Sequence, residues 1–275
     1  MRVLSRSENE AARLVNLCGG DKRLGIVIGD IRETNTLEYA LQDVDTVLHL
    51  AAMKHIDLCE QNPTEAIRTN VVATGELLSA FTGSTFIVMS TDKVAGASGC
   101  YGATKLLTEK LTLEFAKGCT DDGYEDRYMV VRSGNIFGST GSVIPKWRDQ
   151  IKQRNKITIT HPGITRFFIY PSVLVDYIID KIEHGENGKV YIPEQVVVTL
   201  NDLATAVIET WGDEQTQIEV TGLREGEKVH ERLYFAAEKN VVTVMRPETS
   251  DAVKVPRAAV DIIAAWLKKW DEATG

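Results

Sequence analysis

At 275 residues, 43% of them hydrophobic and 25% charged, the chain has room for one large α/β domain or a domain with a smaller lobe. Its formal net charge of −8 argues against a nucleic acid or an anionic membrane surface as the main partner. An anionic nucleotide stays possible, because local arginines and helix N-termini can hold one.

Met1 to Leu4 alternates and stops at Ser5-Arg6, a strand and a turn. Glu8 to Leu17 has helical apolar spacing, and Leu24 to Ile28 is a second strand ending at Gly29-Asp30. Thr36 to Leu41 predicts a short helix, and Val44 to Ala52 a third strand. Pro63 to Phe81 predicts one long helix, with Asn62 as its cap and Pro63 at its first position. The apolar run Thr85 to Met89 predicts a buried parallel strand, followed by a helix from Tyr101 to about Ala116 and a strand from Arg127 to Arg132. Strands alternating with helices give an α/β fold with a parallel sheet and helices on both faces.

After about residue 136 the pattern breaks at Gly138, Gly141 and Pro145, and a basic helix follows. Asn201 to Thr210 predicts a capped helix, Arg224 to Lys228 a charged loop, and Ala258 to Trp270 an amphipathic helix. The expected division is a domain over 1–136 and a smaller lobe over 137–275, interwoven with the first. No repeat or low-complexity tract is present. No apolar run approaches a membrane span, and no secretory pattern opens the chain. Cys18, Cys59, Cys100 and Cys119 form no C-x-x-C pair, so zinc, other metals and a disulfide framework are not expected. Free thiols in a reducing cytoplasm are.

The chemistry concentrates in Ser90-Thr91-Asp92-Lys93 and Tyr101-Gly102-Ala103-Thr104-Lys105. Tyr101 and Lys105 are four apart and share a helix face. A lysine beside a tyrosine favours the phenolate and is expected to lower its pKa. Such a tyrosine can take a proton from a sugar hydroxyl while a nicotinamide takes the hydride. The plainer reading is a surface Tyr-Lys pair, and for Asp92-Lys93 a solvated ion pair. The placement of both motifs after one buried strand favours an active site.

Several blocks, in order along the chain, resemble the UDP-N-acetylglucosamine 4,6-dehydratases of the extended short-chain dehydrogenase superfamily. They are Gly29 to Arg32, Ala51-Ala52-Met53-Lys54-His55, Thr69-Asn70, Ser90 to Lys93, Tyr101 to Lys105, Gly134-Asn135 with Gly138 to Pro145, Thr165-Arg166-Phe167, and Arg224 to Glu231. The resemblance implies a Rossmann-like doubly wound parallel sheet, a smaller C-terminal substrate lobe, and a homo-oligomer acting on a UDP-sugar. It implies that Tyr101, helped by Lys105 and Thr91, deprotonates the 4-hydroxyl, that Lys93 removes the C5 proton, and that Asp92 protonates the departing 6-hydroxyl. Burial is expected to move Lys93 toward neutral and Asp92 toward protonated, against their mutual attraction. Retention of Tyr101 suggests the type that inverts C5. Three departures are Gly96 to Cys100 in place of a proline-containing loop, Ser133 where tyrosine is frequent, and Glu225 where proline is usual.

For the cofactor, NADP ahead of NAD, the resemblance implies Ser5, Arg6, Asp30, Ile31, Ala51, Ala52, Lys54, Asn70, Tyr101 and Lys105. An arginine after the first strand suits a 2′-phosphate, although an ordinary surface arginine fits too. For the UDP-sugar it implies Lys54, Asn135, Ser142, Val143, Arg166, Arg224 and Glu227. His55 is either a contact or a structural histidine.

The glycine-rich phosphate loop of the superfamily is not visible, since Gly19-Gly20 is no such motif. Met1 falls at the family's second strand. A truncated chain, a genuine short form, and a missing unit supplied by another polypeptide all remain open. A nucleotide-sugar epimerase and a non-catalytic UDP-sugar-binding protein are the competing functions.

Overall fold

A computed structural model gives the fold and describes residues 1–224, 226–245 and 257–274. The first strand, β1 (Arg2–Ser5), leads through the cap Ser7, whose hydroxyl accepts from the Glu10 N–H at 3.2 Å, into α1 (Glu8–Leu17). β2 (Gly25–Ile28), α2 (Thr34–Leu41) and β3 (Thr46–His49) follow. Then come α3 (Ile56–Gln61), α4 (Pro63–Ile67), a π-helical turn over Arg68–Val72, and α5 (Ala73–Ala80). β4 (Thr85–Thr91) runs into a 3-10 turn, Asp92–Val94, and then α6 (Cys100–Asp122), which stops at Gly123 with φ 77°.

β5 (Arg127–Ser133) and β6 (Asn135–Ile136) precede α7 (Val143–Arg154), β7 (Lys156–Ile159), β8 (Thr165–Ile169) and α8 (Pro171–His184). The chain continues through β9 (Val190–Ile192), β10 (Val196–Thr199), α9 (Leu200–Trp211), β11 (Gln217–Val220), β12 (Val241–Thr243) and α10 (Arg257–Thr274).

The expected helix Pro63–Phe81 is not continuous. The Asn70 carbonyl accepts the Thr74 and Thr108 hydroxyls, each at 2.7 Å, and the ladder widens to a π turn there. Asn62 makes no side-chain cap bond. Its amide turns back to the Leu58 carbonyl at 3.1 Å and closes α3, which the sequence reading missed. The strand expected over Val44–Ala52 shrinks to β3, leaving Leu50 to His55 as a loop.

The main sheet has the order β12-β9-β5-β4-β3, all parallel. Alternation along its central strands sends side chains to two cores. Phe86 and Val88 of β4, with Tyr128 and Val130 of β5, pack with Ala73, Leu77, Leu78 and Phe81 from α5 and its end. The Phe86 and Tyr128 rings stack at 5.9 Å. Ile87, Met129 and Val131 face the other way, onto Leu174 and Ile178 of α8. Covering both faces is what a parallel sheet requires, and each such side chain contributes about 1.5–3 kcal/mol.

β1 and β2 form a separate parallel pair. Leu4 of β1 and Val47 of β3 pack on the same core, yet no backbone ladder joins these strands. The C-terminal part adds a sheet β10-β8-β6, the pair β11-β7, and a core of Trp147, Ile157, Phe168, Leu203, Ile263 and Leu267. Among the described residues no helix is long and apolar enough to cross a membrane.

Candidate active site

The buried run of β4 carries Thr91 and Asp92 to the C-terminal edge of the sheet, where open parallel sheets bind ligands. The Thr91 hydroxyl accepts from the Lys93 N–H at 3.4 Å and donates to Asp92 Oδ1 at 3.0 Å. Lys93 Nζ donates to the same oxygen at 2.9 Å. Asp92 is fully buried, and its Oδ2 has no hydrogen-bond partner among the described residues.

Helix α6 brings Tyr101 to this turn. Its N-terminus is held by Glu60, whose carboxylate accepts the Cys100 N–H at 2.5 Å and complements the helix dipole. Gly102 permits the close approach, because a Cβ there would stand 2.5 Å from the Lys93 carbonyl oxygen.

The electrostatics correct two expectations. Burial alone would lower the Lys93 pKa, but the carboxylates of Asp92 and Glu231 outweigh it, and the net shift is upward. The resting amine is therefore an ammonium. Burial likewise pushes the Tyr101 phenol up rather than down, with Lys93 and a hydrogen bond with Thr91 pulling against it. The cation that acts on the phenol is Lys93, not Lys105.

Lys105 is buried and is itself lowered to about 8 by burial, with Glu109 opposing from one turn along. Its amine is expected to titrate near that value when labelled lysine is followed by NMR. An unfolded lysine titrates near 10.4, so the native state loses its proton first. The unfolded chain then binds more protons between about pH 8 and about pH 10.4, and Lys105 makes stability rise with pH across that window. An amine still charged above pH 10 would contradict this.

A cavity of about 260 Å³ opens in front of Lys93 and Tyr101. Asn135, Ser142, Val143, Arg166, Arg224 and Glu227, all expected at the substrate, line it. Asn135 donates to the Phe167 carbonyl at 3.2 Å, and the Ser142 hydroxyl is buried without a hydrogen-bond partner among the described residues. Arg166 is buried and donates to the carbonyls of Thr165, Lys228 and Val229 at 2.8–3.1 Å, so it holds the returning 228–229 segment in place. Glu227 accepts from Thr160 at 3.1 Å, and Arg224 lies 3.4 Å from Asp57. Glu225 lies outside the described residues. Lys54 does not line the cavity: it is exposed and donates to the Thr140 carbonyl at 2.9 Å. His55 packs under the same loop, where a Cβ on Gly141 would collide with its ring.

Glu231 and Lys228 also line the cavity, and the sequence reading gave neither a role. Both sat inside the recognised Arg224–Glu231 block. Which of its residues turns inward depends on Arg166, about sixty positions earlier, and spacing does not show that.

The residues expected at the cofactor fall in two groups. Ser5 ends β1 and Arg6 follows it, and Asp30 and Ile31 follow β2. Arg32 grips the Asp30 carboxylate at 2.7 and 3.0 Å and holds it below the usual carboxylate range, while Arg6 stands 3.6 Å away. A second cavity of about 370 Å³ lies beside Asp30, Arg32, Arg68 and Val72. Ala51 and Ala52 follow β3, where Ala51 is exposed. Asn70 is buried, and both its amide hydrogens are engaged, by Met53 O at 2.9 Å and Thr104 Oγ1 at 3.0 Å. It positions the loop after β3 rather than offering a ligand contact. These residues fit the adenosine and nicotinamide ends of a dinucleotide. The segments after β1 (Arg6-Ser7) and β3 (Leu50 to His55) hold no glycine turn, so they do not fit its pyrophosphate.

Fold and site together are those of the nucleotide-sugar dehydratase and epimerase-like enzymes. The chain belongs to the family of polysaccharide biosynthesis proteins, whose model matches residues 1–250. It is similar to the UDP-glucose 4-epimerase of Rickettsia akari, at 36% identity over 236 residues, covering 85% of this chain and 68% of that one. The structure of Pen from Bacillus thuringiensis matches at 34% identity with a TM-score of 0.80, covering 85% of this chain and 75% of that one. The dTDP-glucose 4,6-dehydratase DesIV of Streptomyces venezuelae, solved with NAD bound, shares the fold at 19% identity and a TM-score of 0.76, over 98% of this chain and 87% of that one.

Proposed function

We propose that the chain is a nucleotide-sugar 4,6-dehydratase converting UDP-N-acetylglucosamine to a UDP-4-keto-6-deoxy-hexosamine, with inversion at C5, for surface glycan biosynthesis. The observation that carries this reading is the Asp92–Lys93 pair, an acid and a base joined at 2.9 Å, with Lys93 and Tyr101 lining one cavity and Asp92 fully buried. Exchange of configuration at C4 alone has no use for such a pair.

Tyr101 rests as a phenol, so it gives its own proton to solvent before it takes the proton of the 4-hydroxyl, with Lys93 and Thr91 favouring the phenolate in between. A nicotinamide dinucleotide, with Asp30 and Ile31 at its adenosine end, would supply a hydride acceptor for C4 and the hydride for C6. The 4-ketone makes the C5 proton acidic. Lys93 rests as an ammonium, so its base form has to be generated. One proton moving along the hydrogen bond from Nζ to Asp92 Oδ1 yields a neutral amine and a carboxylic acid together. Lys93 then takes the C5 proton, Asp92 gives its proton to the 6-oxygen, and water leaves. The C5–H and C6–O bonds break, a C5–C6 double bond forms, and the pair returns to ammonium and carboxylate; when hydride enters C6, the Lys93 ammonium gives a proton to C5 and regains one from solvent. Arg224 and Lys146, both exposed at this cavity, supply positive charge for the nucleotide phosphates.

NAD stands ahead of NADP in this proposal, because the DesIV structure holds NAD. Arg6 could meet a 2′-phosphate only by leaving Asp30.

The second reading is a C4 epimerase, favoured by the name of the Rickettsia relative. Incubating the chain with UDP-N-acetylglucosamine and NAD, then weighing the sugar nucleotide by mass spectrometry, separates the two. Loss of one water is expected. An isomer of unchanged mass would overturn the dehydratase reading.

A further inference from the structure

Asp92 presents a structural problem that the elimination chemistry leaves unsolved. Its side chain is fully buried, Oδ1 takes both Thr91 and Lys93, and Oδ2 has no hydrogen-bond partner among the described residues. A buried carboxylate oxygen left bare is costly. The element that closes over this corner is the 228–231 segment. Lys228 Nζ donates to the carbonyls of Ala95 at 3.3 Å and Gly96 at 2.5 Å, immediately after the Asp92–Val94 turn. Arg166 fixes the same segment through the Lys228 and Val229 carbonyls. So latched, it places Glu231, only 4% exposed, at the cavity beside Lys93.

We propose that Asp92 and Glu231 share one proton, and that Glu231 is a positioning residue which keeps Asp92 ready to act as the acid. This rests on the dehydratase reading for its purpose, though not for its chemistry. A protonated Glu231 offers an O–H to the bare side of Asp92. It steadies the carboxylate that forms when the 6-oxygen takes its proton, and it is not consumed, because its own proton stays on the Asp92–Glu231 pair throughout.

The charges facing Glu231 are Asp92 and Lys93 from the turn after β4, Arg166 from β8, and Lys228 on its own segment. The three cations favour the ionised form. Burial first, then the charge of Asp92, favours the protonated one, and the net shift of Glu231 is upward.

The test is a carboxyl titration of the full chain without substrate, using side-chain-labelled Asp and Glu followed by NMR, in the wild type, Glu231→Gln and Asp92→Asn. The proposal expects one carboxyl above the usual range, absent in Glu231→Gln and moved down by about one pH unit or more in Asp92→Asn. A Glu231 that titrates as an ordinary carboxylate, or that ignores Asp92→Asn, overturns it. Because no turnover is measured, a chain that fails to dehydrate any sugar can still pass. In an active chain, the acid limb of the pH profile for water loss is expected to move in Glu231→Gln. An unmoved limb, with the rate lowered uniformly, would reduce Glu231 to packing and count against the proposal.

Discussion

Replacing Lys93 by methionine is expected to slow water loss from the sugar nucleotide by about 10²–10⁴-fold, the range for removing a general base. Among the described residues Lys93 is the only amine bonded to Asp92, at 2.9 Å, and its side chain is 19% exposed. Methionine keeps the length and the apolar stem and deletes the proton acceptor. In the proposed reaction the C4 step is assigned to Tyr101 and Thr91 and should survive, so reduced nicotinamide is expected to accumulate where product would otherwise form. Tyr101→Phe should stop both steps. Because Lys93→Met strands the Asp92 charge, the double variant with Asp92→Asn serves as a folding control. It should melt closer to wild type while remaining inactive. A Lys93→Met chain that dehydrates at the wild-type rate would remove the lysine from the chemistry.

Arg132→Met is expected to destabilise the fold by about 3–5 kcal/mol, the cost of breaking a buried ion pair by removing one partner. Arg132 is 2% exposed in the central strand β5 and donates to Glu109 of α6 at 3.0 and 2.7 Å. It also reaches Glu238 at 2.9 Å and the Leu233 carbonyl at 2.8 Å, joining the main sheet to the segment that returns after Glu231. Glu109 is equally buried and would be left charged with no guanidinium. Glu238 is 26% exposed and can turn to water. Denaturant unfolding measures the loss. The double variant Arg132→Met with Glu109→Leu should recover most of it, since an apolar pair can replace a buried ionic one at little cost. The same pair touches the site, because Glu109 is the group that holds Lys105 up against burial. Freed from Arg132, Glu109 should raise the Lys105 titration above about 8.

The local features of this fold were readable because local physics sets them. Glu8–Leu17 formed as its periodicity predicted, and the apolar run from Thr85 became the buried centre of the parallel sheet. The break in the helix at Arg68–Val72 was not readable. It comes from hydroxyls of Thr74 and Thr108 meeting one carbonyl, and Thr108 is thirty-eight residues away. The Tyr-x-x-x-Lys spacing placed Tyr101 and Lys105 on one helix, but which lysine acts on the phenol was decided by the turn after β4. Glu231 escaped notice for the same reason, since its place depends on Arg166 and Lys228 gripping distant carbonyls. The sequence also carried no glycine turn for a pyrophosphate. Correspondingly, β1 and β3 share a core without sharing a ladder.

The central claim is that Asp92 and Lys93 carry out an elimination across C5 and C6. It is tested most directly by running the reaction on UDP-N-acetylglucosamine in deuterated water and locating the label by NMR. The account predicts a product that has lost water and carries deuterium at C5, delivered from solvent-exchanged Lys93. A product that retains its 6-hydroxyl and has protium at C5, changed only in configuration at C4, would contradict it.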